Sequence, residues 1–296
     1  MSWTSIISMA IYIFQIKTIN KMIKRKRILI TGGAGSIGQE LVRQLAPKNK
    51  IFIIDQNETG AFDLTEELRL KGHNVNCRIG DVRDYKTLED VFSDFKPQVV
   101  FHCAALKHVT PNEQYPIEAI NTNILGTYNV IHLAKRYGVK KLVNISTDKV
   151  IHANSIMGIT KKVAEVMTKN AGYISVRFGN ILGSRGSVIP IWQQQVDKGE
   201  SLTVTHPDME RYFMTIPNAC ELVIKALKIG KAGQILILDM GKPIKILDLA
   251  KEIIKKSGKD IKIKTIGIRQ GETLDEKLMT YEEEQRAVKT GKYYVI

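Results

Sequence analysis

The sequence contains few cysteines, and this scarcity excludes two kinds of stabilised protein. Only three of the 296 residues are cysteine, and they are widely spaced in apolar surroundings, at Cys77, Cys103 and Cys220. An odd number, without ligand spacing to any histidine, argues against a disulfide framework and against a metal site. We therefore expect buried thiols, no bound metal, and a protein of the reducing cytoplasm.

The sequence also lacks an apolar run long enough to cross a membrane. The apolar stretch at 6–14 is far shorter than the ~20 residues of a membrane span. The basic residues follow this stretch, whereas those of a secretory signal precede the apolar part. We predict that residues 1–23 form a dispensable or peripheral tail, with Met22 as an alternative start. The other hypothesis is a basic amphipathic anchor that binds weakly to the inner face of the membrane.

The net charge of +14 does not by itself predict a nucleic-acid partner. Six basic residues and no acidic ones lie in the first 27 positions, so the excess is partly local. No helix-turn-helix, zinc finger or aromatic–basic interleaving is present in the sequence. Hydrophobic residues at 44% and charged residues at 25% are ordinary globular values. We expect a globular protein with one large core, a smaller lobe and no nucleic-acid partner.

A glycine-rich turn follows the first predicted strand, which covers 27–31. The turn reads Gly-Gly-Ala-Gly-Ser-Ile-Gly, and a helical pattern runs from 36 to 45. Strand, glycine turn and helix together are the context of a dinucleotide-binding fingerprint. The first glycine allows the tight turn, the second lets the backbone approach a pyrophosphate, and the third lets the helix pack on the strand. The helix N-terminus supplies an anion site. The predicted cofactor contacts here are Gly32, Gly35, Ser36, Ile37 and Gly38.

A carboxylate stands where such a fingerprint requires one. Asp55 ends the apolar run at 51–54, about 20 residues past the glycines, where a carboxylate accepts hydrogen bonds from the adenosine ribose. It repels a 2′-phosphate, and neither neighbour that follows it is a cation, so NAD is favoured over NADP. Further cofactor contacts are predicted beyond the third and fourth strands, at Asp81, Val82, Ala104, Ala105 and Lys107. An alternative role for Asp81 is to cap the helix predicted at 85–95.

Strands and helices alternate through the first part of the chain. Five strands precede residue 146 and a sixth is predicted at 173–178, which favours a Rossmann-like, doubly wound parallel sheet of the α/β class. After residue 178 turn-forming residues and shorter elements follow. We predict an NAD-binding domain at 24–178 and a smaller substrate-binding lobe at 179–296. Single helices are predicted at 116–137 and 244–256.

Polar side chains gather between a predicted buried strand at 141–145 and a predicted helix at 156–170. Hydroxyls, a carboxylate and two ammonium groups lie within 146–161. In an open parallel sheet, ligands bind outside the carboxyl ends of the strands. This stretch is therefore the predicted site of chemistry. The alternative is an ordinary polar loop with a helix cap.

Several stretches together resemble one family closely. They are 31–38, Asp148 with Met157-x-x-x-Lys161, 177–180, 205–207 and 211–215. In combination they resemble extended short-chain dehydrogenase/reductase proteins of the polysaccharide-biosynthesis type, and in particular the UDP-N-acetylglucosamine 4,6-dehydratases. The likeness covers roughly residues 24–285. It implies bound NAD, hydride transfer from C4 of the sugar, loss of water across C5–C6 and hydride return to C6.

The resemblance also implies the catalytic roles. Asp148 would be the acid at the C6 hydroxyl, Lys149 the base at C5, and Thr147 would hold the sugar's 4-oxygen. Burial and nearby cations are expected to keep Lys149 unprotonated. The usual short-chain motif is Tyr-x-x-x-Lys, and Met157 stands at the tyrosine position, where it cannot transfer a proton. The dehydratases that the chain resembles also carry Met there. The C4 proton acceptor stays open, and Lys161 would bind the nicotinamide ribose.

The substrate and the assembly follow from the same resemblance. A UDP-sugar would be bound by Lys107, Asn180, Arg211, Arg269 and Glu272, with Asn180 and Arg211 on the diphosphate and Glu272 on the uridine ribose. Gln270 and Thr273 depart from the family's usual Pro and Lys. A homo-oligomer would form through 116–137 and 156–170. The alternatives are a 4-epimerase, a dehydratase that inverts C5 and a non-catalytic NAD-binding regulator.

Overall fold

The computed structural model describes residues 23–296, so nearly all of the predicted N-terminal tail lies outside the described residues. The strands of the described part are β1 (Arg27–Thr31), β2 (Lys50–Asp55), β3 (Val75–Ile79), β4 (Val99–His102), β5 (Lys141–Ile145), β6 (Ile174–Arg177), β7 (Asn180–Leu182), β8 (Leu202–Val204), β9 (Glu210–Arg211), β10 (Phe213–Thr215), β11 (Ile235–Leu238), β12 (Ile244–Lys245), β13 (Ile263–Thr265), β14 (Val288–Thr290) and β15 (Tyr293–Val295).

Within residues 23–296, nine of these strands form one sheet, in the order β3-β2-β1-β4-β5-β6-β11-β15-β14. The strands from β3 to β11 are parallel, and β15 and β14 continue the sheet as antiparallel strands. The chain reverses its direction of travel across the sheet between β1 and β4. This topological switch point is where an open α/β sheet forms its crevice. The predicted doubly wound parallel sheet is confirmed.

Helices cover both faces of the sheet. The helices are Ser36–Leu45, Glu58–Leu70, Tyr85–Phe95, Val109–Gln114, Pro116–Ala119, Gly126–Arg136, Ile156–Asn170, Val188–Lys198, Ile216–Ile229, Ile246–Ser257 and Tyr281–Arg286. Successive side chains of β1 point to opposite faces of the sheet and pack in two hydrophobic cores. Ile28 and Ile30 belong to one buried cluster, and Leu29 belongs to the other. The first cluster includes helices Ser36–Leu45 and Ile216–Ile229, and the second includes Tyr85–Phe95 and Gly126–Arg136.

The segment after residue 178 contributes to two parts of the molecule. A third buried cluster, around Trp192, Leu202 and Ile246, forms the core of a small lobe. Its strands pair in twos, β7 with β10, β8 with β13 and β9 with β12. The same segment also returns β11, β14 and β15 to the main sheet. The functional division at residue 178 stays a prediction.

Two predicted helices differ in detail from the structure. The predicted helix at 116–137 is interrupted by a π-helical stretch, Ile120–Leu125. The helix predicted to start at 244 begins at Ile246, because Ile244 pairs with Arg211 in an antiparallel ladder. None of the helices within residues 23–296 combines the length and the apolarity that a membrane span requires.

Candidate active site

The glycine turn is held tightly at the end of β1. Gly32 has φ +67°, and a Cβ there would lie 2.5 Å from the amide nitrogen of Ala104. A Cβ on Gly38 would overlap the carbonyl oxygen of Gly32 and lie 2.7 Å from Gly33 Cα. No side chain caps the N-terminus of helix Ser36–Leu45, which begins after Gly35. The backbone amides of its first turn are therefore available to bind an anion. The turn therefore has the close approach and the amide groups that a pyrophosphate needs.

Asp55 supports the glycine turn directly. Its Oδ2 accepts from the Ala34 amide at 2.8 Å, and its Oδ1 accepts from the Asn57 amide at 2.9 Å. Asp55 thus orients the turn, while its contact with a ribose stays a prediction. Asp81 binds the backbone amide and the guanidinium of Arg83, at 2.8 and 2.7 Å. The cap of helix Tyr85–Phe95 is Asp84, so the alternative role given to Asp81 is wrong.

Alanine substitutions at Gly38 and Gly35 are expected to differ in their effect on the stability of the protein. Gly38→Ala should weaken dinucleotide binding and also lower the melting temperature, because the added methyl group collides with buried backbone. Gly35→Ala should weaken binding at least tenfold, about 1.4 kcal/mol, with little change in the melting temperature of the free protein. Its Cβ would meet only Gly32 O, at 3.2 Å. Calorimetric titration with NAD and thermal unfolding measure both effects. Equal NAD affinity in Gly35→Ala and wild type would contradict the assignment of the turn.

A short 3₁₀ turn follows β5, where the sequence predicts a polar loop. Asp148–Val150 form this turn, and Thr147 caps it with its hydroxyl. The Asp148 carboxylate is buried, and its Oδ1 accepts from the Thr147 hydroxyl at 2.8 Å. The Lys149 ammonium lies 3.1 Å from Asp148 Oδ1 and 2.8 Å from Glu276 Oε1. The backbone therefore brings a hydroxyl, a carboxylate and an ammonium together at the carboxyl end of β5.

The protonation of Lys149 differs from the expectation. Burial alone would lower the pKa of Lys149, but the carboxylates of Asp148 and Glu276 outweigh burial and hold it well above its ordinary value. Lys149 is therefore an ammonium in this arrangement. The expectation that burial and neighbouring cations keep it unprotonated is wrong, because two carboxylates contact it more closely than any cation does.

Met157 and Lys161 lie one helical turn apart on helix Ile156–Asn170, and both are buried. Ser155 caps this helix by accepting from the Gly158 amide at 3.1 Å. Burial lowers the pKa of Lys161 to about 8, with Cys103 and Glu165 opposing the shift. Lys161 is thus poised to exchange a proton near neutral pH, while Met157 carries no exchangeable proton.

Most of the predicted residues meet in one cleft of about 780 Å³, within the size range of ligand pockets. Its lining includes, of the predicted residues, Gly32, Gly35, Ser36, Ile37, Gly38, Ala105, Lys107, Thr147, Lys149, Met157, Lys161, Asn180, Arg211, Arg269 and Glu272. The predicted residues outside its lining are Asp55, Asp81, Val82, Ala104 and Asp148. Asp148 instead lines a second cavity of about 170 Å³, which shares Lys149, Asn180 and Arg211 with the cleft. No group of three metal-ligating side chains comes together within residues 23–296.

The predicted substrate residues are held by the protein itself. Arg211 donates to the carbonyl oxygens of Glu210, Leu274 and Thr273, at 2.8, 2.9 and 2.7 Å, and its Nε lies 3.2 Å from Glu276 Oε1. Most of its donors are thus engaged within the chain. Lys107 donates to Arg185 O at 2.8 Å, and the Arg185 amide donates to Ser36 Oγ at 3.0 Å. Lys107 and Arg211 both line the cleft in these positions.

Glu276 is a site residue that the sequence did not reveal. Its carboxylate is almost fully enclosed and contacts Lys149, Arg211 and Asn180. The only signal is its place in the acidic run 272–276, which is indistinguishable from a solvated surface segment. Loop residues that reach a site through tertiary structure alone carry no local pattern.

A doubly wound sheet, a glycine turn after β1 and Lys161 one turn after Met157 beyond β5 define an extended short-chain dehydrogenase/reductase. The chain belongs to the polysaccharide biosynthesis protein family, whose sequence profile matches residues 28–296. The family predicted from the sequence is therefore confirmed.

Individual relatives agree with this assignment. The chain is 44% identical over 280 residues to the capsular polysaccharide biosynthesis protein CapD of Staphylococcus aureus, covering 90% of this chain and 47% of the relative. It thus spans about half the length of that curated relative and of a second from Bacillus subtilis. It is 36% identical to a UDP-glucose 4-epimerase of Rickettsia bellii, covering 92% of this chain and 82% of the relative. The solved structure of Pen from Bacillus thuringiensis matches with a TM-score of 0.88 at 38% identity, covering 93% and 90% of the two chains.

Proposed function

We propose that the protein is an NAD-dependent nucleotide-sugar 4,6-dehydratase that acts on UDP-N-acetylglucosamine in surface polysaccharide or glycan biosynthesis. The observation that carries this proposal is the pair formed by the buried Asp148 and the half-buried Lys149, with 3.1 Å between Lys149 Nζ and Asp148 Oδ1, beside Met157 and Lys161. An elimination across C5–C6 needs both an acid and a base at adjacent carbons. The family membership supports a nucleotide-sugar substrate.

The cofactor site fits NAD. The backbone approach at Gly35 and Gly38 leaves no room for a Cβ at Gly38, and Asp55 places a carboxylate beside the turn. When bound, NAD would supply hydride acceptance from C4 and hydride return to C6. Lys161, at the cleft wall, would hold the nicotinamide ribose. A carboxylate at Asp55 favours a ribose with free hydroxyls over one that carries a phosphate.

The protein's own residues would handle the protons. Lys149 is an ammonium and Asp148 a carboxylate in the resting arrangement, so each must change state before it acts. A proton moving from Lys149 Nζ to Asp148 across their 3.1 Å contact produces the amine base and the carboxylic acid together. Lys149 then takes the C5 proton. Thr147, whose hydroxyl donates to Asp148 Oδ1 and lines the cleft, passes its own proton to the C6 hydroxyl and takes the Asp148 proton in exchange.

The UDP part would lie against the small lobe. Lys107, Asn180, Arg211 and Arg269 line the cleft and carry donors suited to a diphosphate. Glu272 would accept from the uridine ribose. Because most donors of Arg211 already bind backbone carbonyls, its part in diphosphate binding would use its remaining N–H or follow a movement of the 273–276 loop.

A second candidate function is a UDP-sugar 4-epimerase. The likeness to the Rickettsia bellii epimerase favours it. An epimerase returns the hydride to C4 without losing water, so it has no use for an elimination pair and normally relies on the tyrosine that Met157 replaces. A dehydratase that inverts C5 uses the same pair and is distinguished by its product. A non-catalytic NAD-binding regulator is the third alternative.

Incubation of the purified protein with UDP-N-acetylglucosamine, followed by proton NMR, tests these functions. A new C6 methyl doublet is expected, and the C5 configuration of the product separates the retaining and inverting dehydratases. Accumulation of the 4-epimer would instead establish the epimerase. Unchanged sugar would overturn both enzyme proposals.

A homo-oligomer is part of the proposal. Ile159, Val163 and Val166 share one face of helix Ile156–Asn170 and are exposed. Tyr128 and Leu125 add to an apolar surface on the adjoining helical segment. An exposed apolar surface of this extent is typical of an interface. A cytoplasmic location and membrane association through residues 1–22 stay predictions.

The double substitution Ile159→Glu with Val166→Glu is expected to produce monomers, because it places charges on the apolar face. Sedimentation velocity should then give a mass near 33.3 kDa, against a multiple of it for wild type. Phe62→Glu is the control, since Phe62 is even more exposed than Ile159 and Val166 but lies on helix Glu58–Leu70. A monomeric wild type would refute the proposed interface.

A further inference from the structure

Glu276 occupies the centre of a buried charge cluster. Its side chain is 5% exposed, and its Oε1 lies 2.8 Å from Lys149 Nζ and 3.2 Å from Arg211 Nε. Its Oε2 accepts from Asn180 Nδ2 at 3.4 Å. It thus contacts a proposed catalytic residue and two proposed substrate residues at once. No other carboxylate of the described chain joins these three groups.

The Glu276 and Asp148 carboxyl groups share the Lys149 ammonium, which lies 2.8 Å from Glu276 Oε1 and 3.1 Å from Asp148 Oδ1, so the two carboxyl groups are close neighbours. Asp148 Oδ2 is fully buried and has no N–H or O–H donor within residues 23–296. Two carboxyl groups in contact repel strongly when both are ionised, and a single shared proton converts the repulsion into a hydrogen bond. Glu276 therefore holds that proton and donates it to the orphaned Oδ2 of Asp148, which stays a carboxylate.

The chain holds Glu276 in place from both sides. Arg211 donates to the carbonyl oxygens of Thr273 and Leu274, which precede Glu276. Arg177, fully buried in β6, donates to Leu278 O at 2.9 Å, two residues after it. Anchoring at both ends fixes the position of the carboxyl group against the turn.

We propose that Glu276 is a positioning residue for the Asp148–Lys149 pair. It shares one proton with Asp148 and holds the Lys149 ammonium in place, so that Asp148 can become the acid and Lys149 the base of the elimination. This proposal rests on the dehydratase function proposed above. It assigns a role to a residue outside the Asp148–Lys149 pair and explains why a lysine surrounded by carboxylates can act as a base.

The protons gained and lost by these residues balance over the elimination step. At rest Lys149 is an ammonium and the carboxyl pair carries one proton. When Lys149 gives its proton to the pair, the amine becomes neutral, both carboxyls are protonated and the net charge is unchanged. Lys149 then takes the C5 proton, and Asp148, through Thr147, gives its proton to the C6 oxygen as the C6–O bond breaks and water leaves. The cluster is then back in its starting protonation, and the proton that Lys149 later returns to C5 is replaced by the one that the C4 hydroxyl releases on oxidation.

The charged groups that face Glu276 come from two elements. Lys149 and Asp148 come from the turn after β5, Arg211 comes from β9, and the second cavity is lined further by His152, Glu272, Asp275 and Lys277. Burial raises the pKa of Glu276 to about 7, and Asp148 adds to this effect while Lys149 and Arg211 oppose it. The shared proton is therefore lost as the pH rises through about 7. Activity should fall over the same interval, since Lys149 then faces two full carboxylates.

The test compares Glu276→Gln with wild type in the methyl-forming assay. Glutamine keeps a hydrogen bond to Asp148 but holds no exchangeable acid proton. We expect kcat to fall on the order of 10²-fold, KM to stay within about twofold, and the alkaline limb near neutral pH to disappear. Glu252→Gln, which removes the same charge from the exposed surface of helix Ile246–Ser257, should retain the wild-type rate and pH profile. A wild-type kcat and pH profile in Glu276→Gln would overturn the proposal.

A measurement without substrate separates this proposal from the proposed function. Carbon-13 NMR of carboxyl-labelled protein should show a Glu carboxyl that titrates near neutral pH and is absent from Glu276→Gln. In Asp148→Asn its midpoint should move down, because the repelling charge is gone. Absence of any carboxyl titrating in this range would overturn the shared proton, even if the enzyme is a dehydratase. A wild type that shows the titration but forms no methyl product would reject the dehydratase function alone.

Discussion

Lys149→Ala is expected to abolish methyl formation, with a loss of about 10²- to 10⁴-fold or more in kcat, the range for removal of a general base. The reason is that Lys149 is the sole basic nitrogen of the described chain that contacts Asp148 and also lines the cleft. NAD affinity should stay within about twofold of the wild-type value, because the predicted cofactor contacts are made by the glycine turn and Lys161. Proton NMR measures the methyl product, and calorimetric titration measures NAD binding.

Two controls sharpen this result. Lys149→Met keeps the length of the side chain, so an equal loss in both variants assigns the effect to the amine. Lys198→Ala removes an exposed lysine at the end of helix Val188–Lys198 and should leave the rate unchanged. Full activity in Lys149→Ala would remove Lys149 from the mechanism. A loss of NAD binding together with activity would place it in the cofactor site.

Arg177→Ala is expected to destabilise the fold by about 3–5 kcal/mol, the usual cost of leaving buried charges unpaired. The Arg177 guanidinium is fully buried and lies 2.7 Å from both Glu165 and Glu283. Its removal leaves these two enclosed carboxylates with the more distant and partly exposed Lys162, at 3.4 Å from Glu165 and 3.9 Å from Glu283. Since the free energy of unfolding of a protein is about 5–15 kcal/mol, the loss is a large fraction of the total. Urea unfolding at pH 8 measures it.

The pH dependence of the Arg177 effect has a definite sign. Burial would raise the pKa of Glu283, but hydrogen bonds and charge from Arg177 outweigh burial and hold it below its ordinary value. A carboxylate with a depressed pKa contributes stability above its unfolded pKa of about 4.3, and this contribution is lost as the pH falls through the folded value. The gap between wild type and Arg177→Ala should therefore narrow below about pH 4.

An exposed ion pair provides the comparison for Arg177. Arg69 and Glu66 form a similar pair on the surface of helix Glu58–Leu70, with 2.7 Å between Arg69 Nη2 and Glu66 Oε2. Arg69→Ala should change stability little, because solvent screens the pair and replaces its hydrogen bonds. Equal losses in Arg177→Ala and Arg69→Ala would show that burial of the Arg177 cluster does not govern its contribution.

The fold could be predicted from the sequence because the patterns that indicate its strands, turns and helices are local. The glycine turn between β1 and helix Ser36–Leu45, the strand ending at Asp55 and the helix starting after Ser155 each carry their pattern within a few residues. The interruption at Ile120–Leu125 and the start of the later helix at Ile246 were not accessible. These depend on packing and on a ladder with Arg211, which lies far away in the chain.

The sequence by itself determined the sheet class, the glycine turn and the stretch that carries Thr147, Asp148, Lys149, Met157 and Lys161. Short-range spacing encodes these features, since strand, turn and helix signals act between near neighbours. Only the tertiary structure decided the charge state of Lys149 and brought Glu276 to it from more than a hundred residues away. Electrostatic effects depend on distance in space, and a carboxylate in a loop has the same local sequence pattern whether it faces solvent or a lysine of the site.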